Sequence, residues 1–189
     1  MKRLNKENIN TPEFFNKKFN GELAYCDMER QELLAKYFKG GVYVDVGCMD
    51  SPMPSILAEK YDNIYALDFA DDIIKILSSK YPKVNYKTIP NEYTLPFKDG
   101  EVDYLVAGEF IEHLENPQLF FDEAKRVVKK GGWIAISTPW EEGVSQGLIG
   151  GKQHIWSYTK DDMDNFLTKP EIQLLKETGG ISMIVWKQL

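Results

Sequence analysis

The chain has 189 residues, 43% of them hydrophobic and 28% charged, the composition of an ordinary globular protein. Its 23 Lys and Arg against 29 Asp and Glu leave a net charge of −6, which argues against a duplex nucleic-acid binder and its basic face. Cys26 and Cys48 are the two cysteines and no CxxC spacing exists, so a zinc ribbon or a disulfide scaffold is excluded and no metal site is expected. The first residues carry no apolar stretch of signal-peptide type and no run is long enough to cross a bilayer, so a reduced, cytoplasmic chain without membrane insertion is expected.

In chain order, Thr11-Pro12-Glu13 reads as a capped helix start. Residues 28–39 place Leu33, Leu34, Tyr37 and Phe38 at helical spacing, and Gly40-Gly41 ends that helix. Val42 to Gly47 is a β-branched run that suits a strand buried on both faces. Ser51-Pro52 is read as an N-cap opening a helix to about Lys60. A second strand covers Asn63 to Asp68, a helix Asp71 to Tyr81, a third strand Val84 to Thr88, and a loop Pro90 to Gly100. Val102 to Ala107 is a fourth strand. Pro117 opens an amphipathic helix to Lys130 with Leu119, Phe120, Ala124, Val127 and Val128 on its apolar stripe, stopped by Gly131-Gly132.

A fifth strand spans Trp133 to Thr138. Gly143, Gly147, Gly150 and Gly151 mark a mobile, lid-like loop over 139–158. Thr159 caps a helix to Leu167, and Ile172–Lys176 with Ile181–Trp186 forms a hairpin about Thr178-Gly179-Gly180. Five alternations of strand and helix specify an α/β fold. It is a Rossmann-like, seven-stranded, mostly parallel sheet with helices on both faces and an antiparallel C-terminal hairpin. The whole of 1–189 is expected to be a single domain, with 1–40 an N-terminal helical segment.

In such a sheet ligands bind at the carboxyl ends of the strands. That rule selects the turn Gly47-Cys48-Met49-Asp50-Ser51, where glycine lets backbone pass close beneath a ligand, and Asp68, whose carboxylate can accept from both hydroxyls of a ribose. Singly, the glycine is a turn residue and the aspartate a cap; together they favour a nucleoside ligand. An NAD fingerprint fails on the residues after Gly47, and a P-loop fails around Gly147 to Lys152.

Val44-Asp45-Val46-Gly47 and Ala66-Leu67-Asp68 resemble the first two motifs of class I S-adenosylmethionine-dependent methyltransferases. The run from Leu95-Pro96-Phe97 through Asp99-Gly100, Glu112-His113-Leu114 and Lys130-Gly131-Gly132 is similar to the ordered motifs of their small methyltransferase domain. The resemblance implies S-adenosyl-L-methionine as cofactor. It matches Asp45 to the acid facing the methionine amino group, Gly47 to the loop glycine, Asp68 to the ribose acid and Asn91 to an acceptor for the adenine amino group. Glu109 matches a residue lining the methionine end, and Cys48, Phe69 and Glu92 are taken with these as cofactor-side neighbours.

The family's second and third loop glycines are here Met49 and Ser51; a side chain at Met49 disfavours positive φ and points either to another loop path or to weak cofactor affinity. His154 and His113 are the candidate catalytic bases, with Glu109 and Glu112 beside them. Structural roles stay open for both histidines: His113 within its motif, His154 as a loop residue bonding backbone. Trp140, Trp156 and Tyr158 are either packing under a lid or a platform for a sugar ring; Phe19 and Tyr25 are either packing or a cap on the cofactor. The expected reaction is methyl transfer to a small-molecule acceptor, a sugar or cell-surface precursor being favoured, and a homodimer is admitted. A catalytically silent binding or scaffold module is the rival reading.

Overall fold

The four residues of strand β2 (Tyr43–Val46) are all buried, as their β-branched and aromatic content demands of a strand covered on both faces. The computed structural model describes residues 1–5, 8–24, 28–139, 153–167, 172–178 and 181–188. Strands β3 (Ile64–Asp68) and β5 (Val102–Gly108) run parallel to β2 on its two sides. β4 (Asn85–Thr88) extends the sheet beyond β3, and β6 (Val128–Pro139) beyond β5. The hairpin β8 (Ile172–Thr178) and β9 (Ile181–Lys187) closes it, β9 lying antiparallel to β6. The order is β4-β3-β2-β5-β6-β9-β8. This is the expected Rossmann-like α/β sheet of seven strands with an antiparallel end.

Side chains alternate between the two faces with the period of two that strands impose. Val44, Val46, Leu105, Ala107, Ile134 and Ile136 pack on one face with helix α5 (Pro117–Val127). Tyr43, Tyr104, Val106 and Ala135 pack on the other against Leu34 and Phe38. Helices α1 (Pro12–Lys18) and α6 (Lys160–Phe166) start at the expected caps: Thr11 Oγ accepts from Phe14 N, and Thr159 forms a reciprocal capping box with Asp162. Helix α4 spans Asp71–Lys80.

Four local expectations are corrected. Helix α2 covers Met28–Leu34 rather than 28–39, because the Tyr104 hydroxyl donates to the Leu34 carbonyl at 2.6 Å and the chain tightens into i→i+3 turns (Lys36 N to Leu33 O, Phe38 N to Ala35 O). Tyr37 then stacks on Trp133, and Phe38 packs on Tyr43 and Tyr61. Ser51 caps nothing: helix α3 is Met53–Leu57, and the Ser51 hydroxyl is spent on Asp45.

Residues 128–130 leave the helix and enter β6, where Val128 pairs with Val102. The Gly131-Gly132 pair therefore sits inside a strand. Gly131 has φ +78, and a Cβ on Gly132 would lie 2.8–2.9 Å from Val128, Lys129 O and Asp103 O, so the pair permits a bend that no side chain would fit. Leu119, expected on the apolar stripe of α5, is 48% exposed. The stripe is Pro117, Phe120, Phe121, Ala124 and Val127.

The N-terminus is not only helical. β1 (Lys2–Arg3) pairs antiparallel with β7 (Trp156–Ser157), and Asn5 Nδ2 donates to the His154 carbonyl at 2.6 Å. This strap crosses the carboxyl ends of the parallel strands. The loop before β5 is fixed from the other side: the Arg126 guanidinium reaches Glu123, Asp99 and the carbonyl of Phe97. No helix among the described residues is long and apolar enough to cross a membrane.

Candidate active site

A cavity of about 380 Å3 opens at the carboxyl ends of β2, β3 and β5, within the size range of small-molecule sites. Asp45, Gly47, Cys48, Asp68, Phe69, Glu92, Glu109, His113 and His154 all line it. Asn91 does not: its side-chain oxygen accepts from Tyr93 N at 2.8 Å, closing a local turn.

Gly47 has φ +70, and a Cβ there would run into the Phe110 ring. Its N–H and that of Cys48 both donate to Leu67 O, at 2.9 and 3.0 Å, which fastens the turn to β3. The expectation that a side chain at Met49 avoids positive φ is corrected. Met49 keeps a positive φ of 31, because its N–H donates to Asp68 Oδ2 at 3.1 Å and it packs on the cluster of Leu23, Ala70, Ile73 and Leu77. The glycine-like course survives at a strain of about 1–2 kcal/mol. Glu109, at φ +51, is the other non-glycine residue with positive φ among those described, and it too lines the cavity. Its N–H donates to Ser137 O at 2.9 Å.

Two buried carboxyl groups stand on this floor. Asp68 accepts from Ala70 N through Oδ1 at 2.9 Å and from Met49 N through Oδ2. The Phe69 N–H also donates to the group, and the acceptor capacity that a carboxylate has beyond these backbone donors is open to a ribose hydroxyl. Burial raises its pKa above the usual carboxylate value, against the opposing pull of the backbone donors. Asp45 is pushed up to about 7 by burial, opposed by the Ser51 hydroxyl at 2.8 Å and by Arg30. Burial likewise raises the Cys48 thiol, which leaves it protonated and unreactive.

At the other end, a 3-10 turn (Ile111–His113) follows β5. Glu112 has no exposed surface, and burial, with Glu109 beside it, raises it well above the carboxylate range. His113 and His154 meet edge to face with ring centroids 5.0 Å apart, and burial lowers both, His113 to about 4. Segment 153–158 is clamped onto the turn. Ile155 N donates to Glu112 O, Trp156 Nε1 to Leu114 O and the Tyr158 hydroxyl to Ile111 O. Trp156 and Tyr158 are therefore packing, with Arg3 over the Trp156 ring. Trp140, Tyr25 and most of the expected lid lie outside the described residues.

Sequence reasoning missed the strap's part in the site. Asn10 Nδ2 bridges the carbonyls of His113 and Gln153 at 3.0 and 2.9 Å, and Phe15 packs edge-on against Phe69 and His113. Arg30 and Lys18 also line the cavity. Phe19 does not. No motif marks these residues; the N-terminal polar stretch has no period that ties it to position 154.

The fold and the paired carboxyl groups at the strand ends define a nucleoside-binding α/β protein of the doubly wound kind. A family profile described as a methyltransferase domain matches residues 44–136. The chain is 32% identical over 123 residues to an uncharacterized protein of Methanocaldococcus jannaschii, covering 65% of this chain and 58% of that one. It is 31% identical over 99 residues to the ubiquinone biosynthesis O-methyltransferase of Hydrogenovibrio crunogenus, covering 50% and 41%. The chain thus spans about half the length of the curated relatives it matches.

Among solved structures, a Pyrococcus horikoshii protein superposes with a TM-score of 0.74 at 17% identity, covering 95% of this chain and 100% of that one. A SAM-dependent methyltransferase of Aquifex aeolicus does so at 0.67 and 18%, covering 94% and 98%. At that identity these two speak for the fold alone. Residues 44–136 are thus a methyltransferase domain by family match, on a fold shared with S-adenosylmethionine-dependent methyltransferases.

Proposed function

We propose that the protein transfers a methyl group from S-adenosyl-L-methionine to an oxygen or nitrogen of a small-molecule acceptor. The observation that carries this reading is the Asp68 carboxylate, buried at the end of β3 and facing the cavity with acceptor capacity to spare. The donor supplies an already activated methyl on its sulfonium, so the chain's task is to bind, orient and exclude water. Asp68 holds the ribose, the Gly47–Ser51 turn brings backbone close to the ligand, and Asp45 faces the amino group of the methionine end. The acceptor occupies the end of the cavity beneath His113 and His154, where the strap shuts off solvent.

With the donor seated, only part of the cavity of about 380 Å3 is left to the acceptor, which limits it to a small molecule, and the net charge of −6 disfavours a nucleic-acid substrate. The O-methyltransferase named among the relatives supports an oxygen acceptor. A sugar or cell-surface precursor belongs to this class, although Trp156 and Tyr158, two of the aromatic residues first read as its platform, are spent on packing. A cytoplasmic location, a single domain over 1–189 and a homodimer belong to the same proposal.

The reading is tested by incubating the protein with labelled donor and a panel of small alcohols, phenols and amines, and measuring S-adenosylhomocysteine. Acceptor-dependent product is expected. Firm donor binding with no turnover on any class would favour the silent module.

Asp45 adds a pH signature. Its carboxylate must be ionised to face an ammonium, and burial places its titration at about 7. Donor affinity is therefore expected to fall as pH drops below about 7, by up to tenfold per unit. Ser51 donates to the ionised form and Arg30 favours it, while Asp68 opposes it. Ser51→Ala removes a stabilising donor, so the inflection moves to higher pH. Calorimetric affinities across the range, wild type against Ser51→Ala, measure the displacement; superimposable profiles would detach Asp45 from the donor.

A further inference from the structure

Beside the carboxyl groups that serve the donor lies a second cluster, Glu112, His113 and His154, each offering one ligand atom within 4.8 Å of the others. Glu112 is wholly buried. Its Oε2 accepts from Thr138 Oγ1 at 3.1 Å, but Oε1 has no hydrogen-bond partner among the described residues. His154 is 9% exposed, and its Nδ1 is equally without a partner among them. Polar atoms buried in this way cost free energy unless something meets them.

His113 shows what that something is. Its Nδ1 lies 3.1 Å from the Gln153 carbonyl and must donate to it, so Nε2 carries the lone pair, 3.9 Å from Glu112 Oε1. The His113 lone pair, the unpartnered His154 Nδ1 and the unpartnered Glu112 Oε1 thus lie in one cluster, with no hydrogen bond joining them among the described residues. Backbone-bonded imidazole is also the usual outer-shell arrangement of a metal-ligating histidine. The frame is held independently of any ion: Ile155 N to Glu112 O and Asn10 Nδ2 across His113 O and Gln153 O fix both arms. Ligand bonds of about 2.0–2.1 Å would be reached by moving each side chain less than about 1 Å.

We propose that Glu112, His113 and His154 bind a divalent first-row transition cation. Two imidazoles and one carboxylate suit Mn2+, Fe2+ or Zn2+, and three protein ligands leave coordination positions open. Those positions face the cavity, because His113 and His154 line it. There the cation can hold an oxygen of the acceptor, a use that rests on the methyl-transfer reading, whereas the cation site does not. The assignment gives the two histidines to ligation rather than to direct proton abstraction.

The test uses the full chain stripped with chelator, then dialysed against Mn2+ or Zn2+ and analysed for metal, with Co2+ titrated in parallel for ligand-field absorption. A single cation per chain and a Co2+ spectrum of nitrogen and oxygen ligation are expected. Glu112→Gln and His154→Ala should each weaken binding about 10–100-fold. Glu112→Gln replaces a buried carboxyl, which burial disfavours in its charged form, by a neutral amide of the same shape, so its metal-free melting temperature should not fall below that of the metal-free wild type. No retained metal, no Co2+ bands, or equal binding by folded variants would overturn the site. Donor binding by the metal-free protein is measured alongside: its loss with metal binding intact would strike the methyltransferase reading and leave the cation site standing.

Discussion

Asp68→Ala is expected to weaken S-adenosylmethionine binding at least tenfold. The carboxylate's work is double. It offers the ribose an acceptor, and it holds Met49 N and Ala70 N, which keeps the turn after β2 on its course. Hydrogen bonds to a charged group are worth about 1.5–3 kcal/mol, so losing even one donor contact brings the expected factor. Met49, already at positive φ, then has no acceptor for its N–H and every reason to relax into the cavity. Asp68→Asn should fall between wild type and alanine, since its amide turns one donor against one of the two backbone N–H groups. Calorimetry on variants shown to be folded measures this; wild-type affinity in Asp68→Ala would remove Asp68 from the site.

Gly47→Ala is expected to damage both stability and donor binding. At φ +70 a side chain costs about 1–2 kcal/mol. The added methyl also enters the space of the Phe110 ring, which is itself packed on Phe120 in the core, and overpacking of that kind adds about 1–3 kcal/mol. For a chain of this length the melting temperature should fall by roughly 5–15 °C. Whatever relief the turn finds moves Cys48 and Met49 away from the Leu67 carbonyl and the Asp68 carboxylate, so affinity falls with it. A variant that melts with the wild type and binds donor as tightly would show that neither the backbone conformation nor the ring contact matters.

The sheet was legible because its signal is local. Tyr43–Val46 and Ile64–Asp68 are apolar runs bounded by glycine and polar residues, and a parallel strand buried on both faces needs little else. Asp68 and Gly47 were legible because their positions at strand ends follow from those runs. What escaped was set by partners distant in sequence. The Tyr104 hydroxyl shortens α2, Asp45 takes the hydroxyl of Ser51 from its cap, and Val102 draws Val128 out of the helix its spacing suggested.

The same holds for the site. Asn91 has the right residue type for an adenine contact, yet its oxygen is drawn into a local turn with Tyr93 N and the residue does not line the cavity. Met49 has the wrong type for its turn, yet a carboxylate and an apolar cluster hold it there. Asn5 and Asn10 reach residues more than a hundred positions away, and the His113–His154 pair joins two segments separated in sequence by a helix, a strand and a glycine-rich stretch. No spacing rule reaches across such gaps.

Titration calorimetry of the wild-type chain with S-adenosyl-L-methionine, and with its demethylated product as competitor, bears most directly on the crevice between β2 and β3. Saturable heat from a single class of site, displaced by the product, is what Asp68 and the strained turn should yield. A protein that stays folded yet gives neither heat nor a thermal shift at millimolar donor would contradict the assignment of that crevice to the methyl donor.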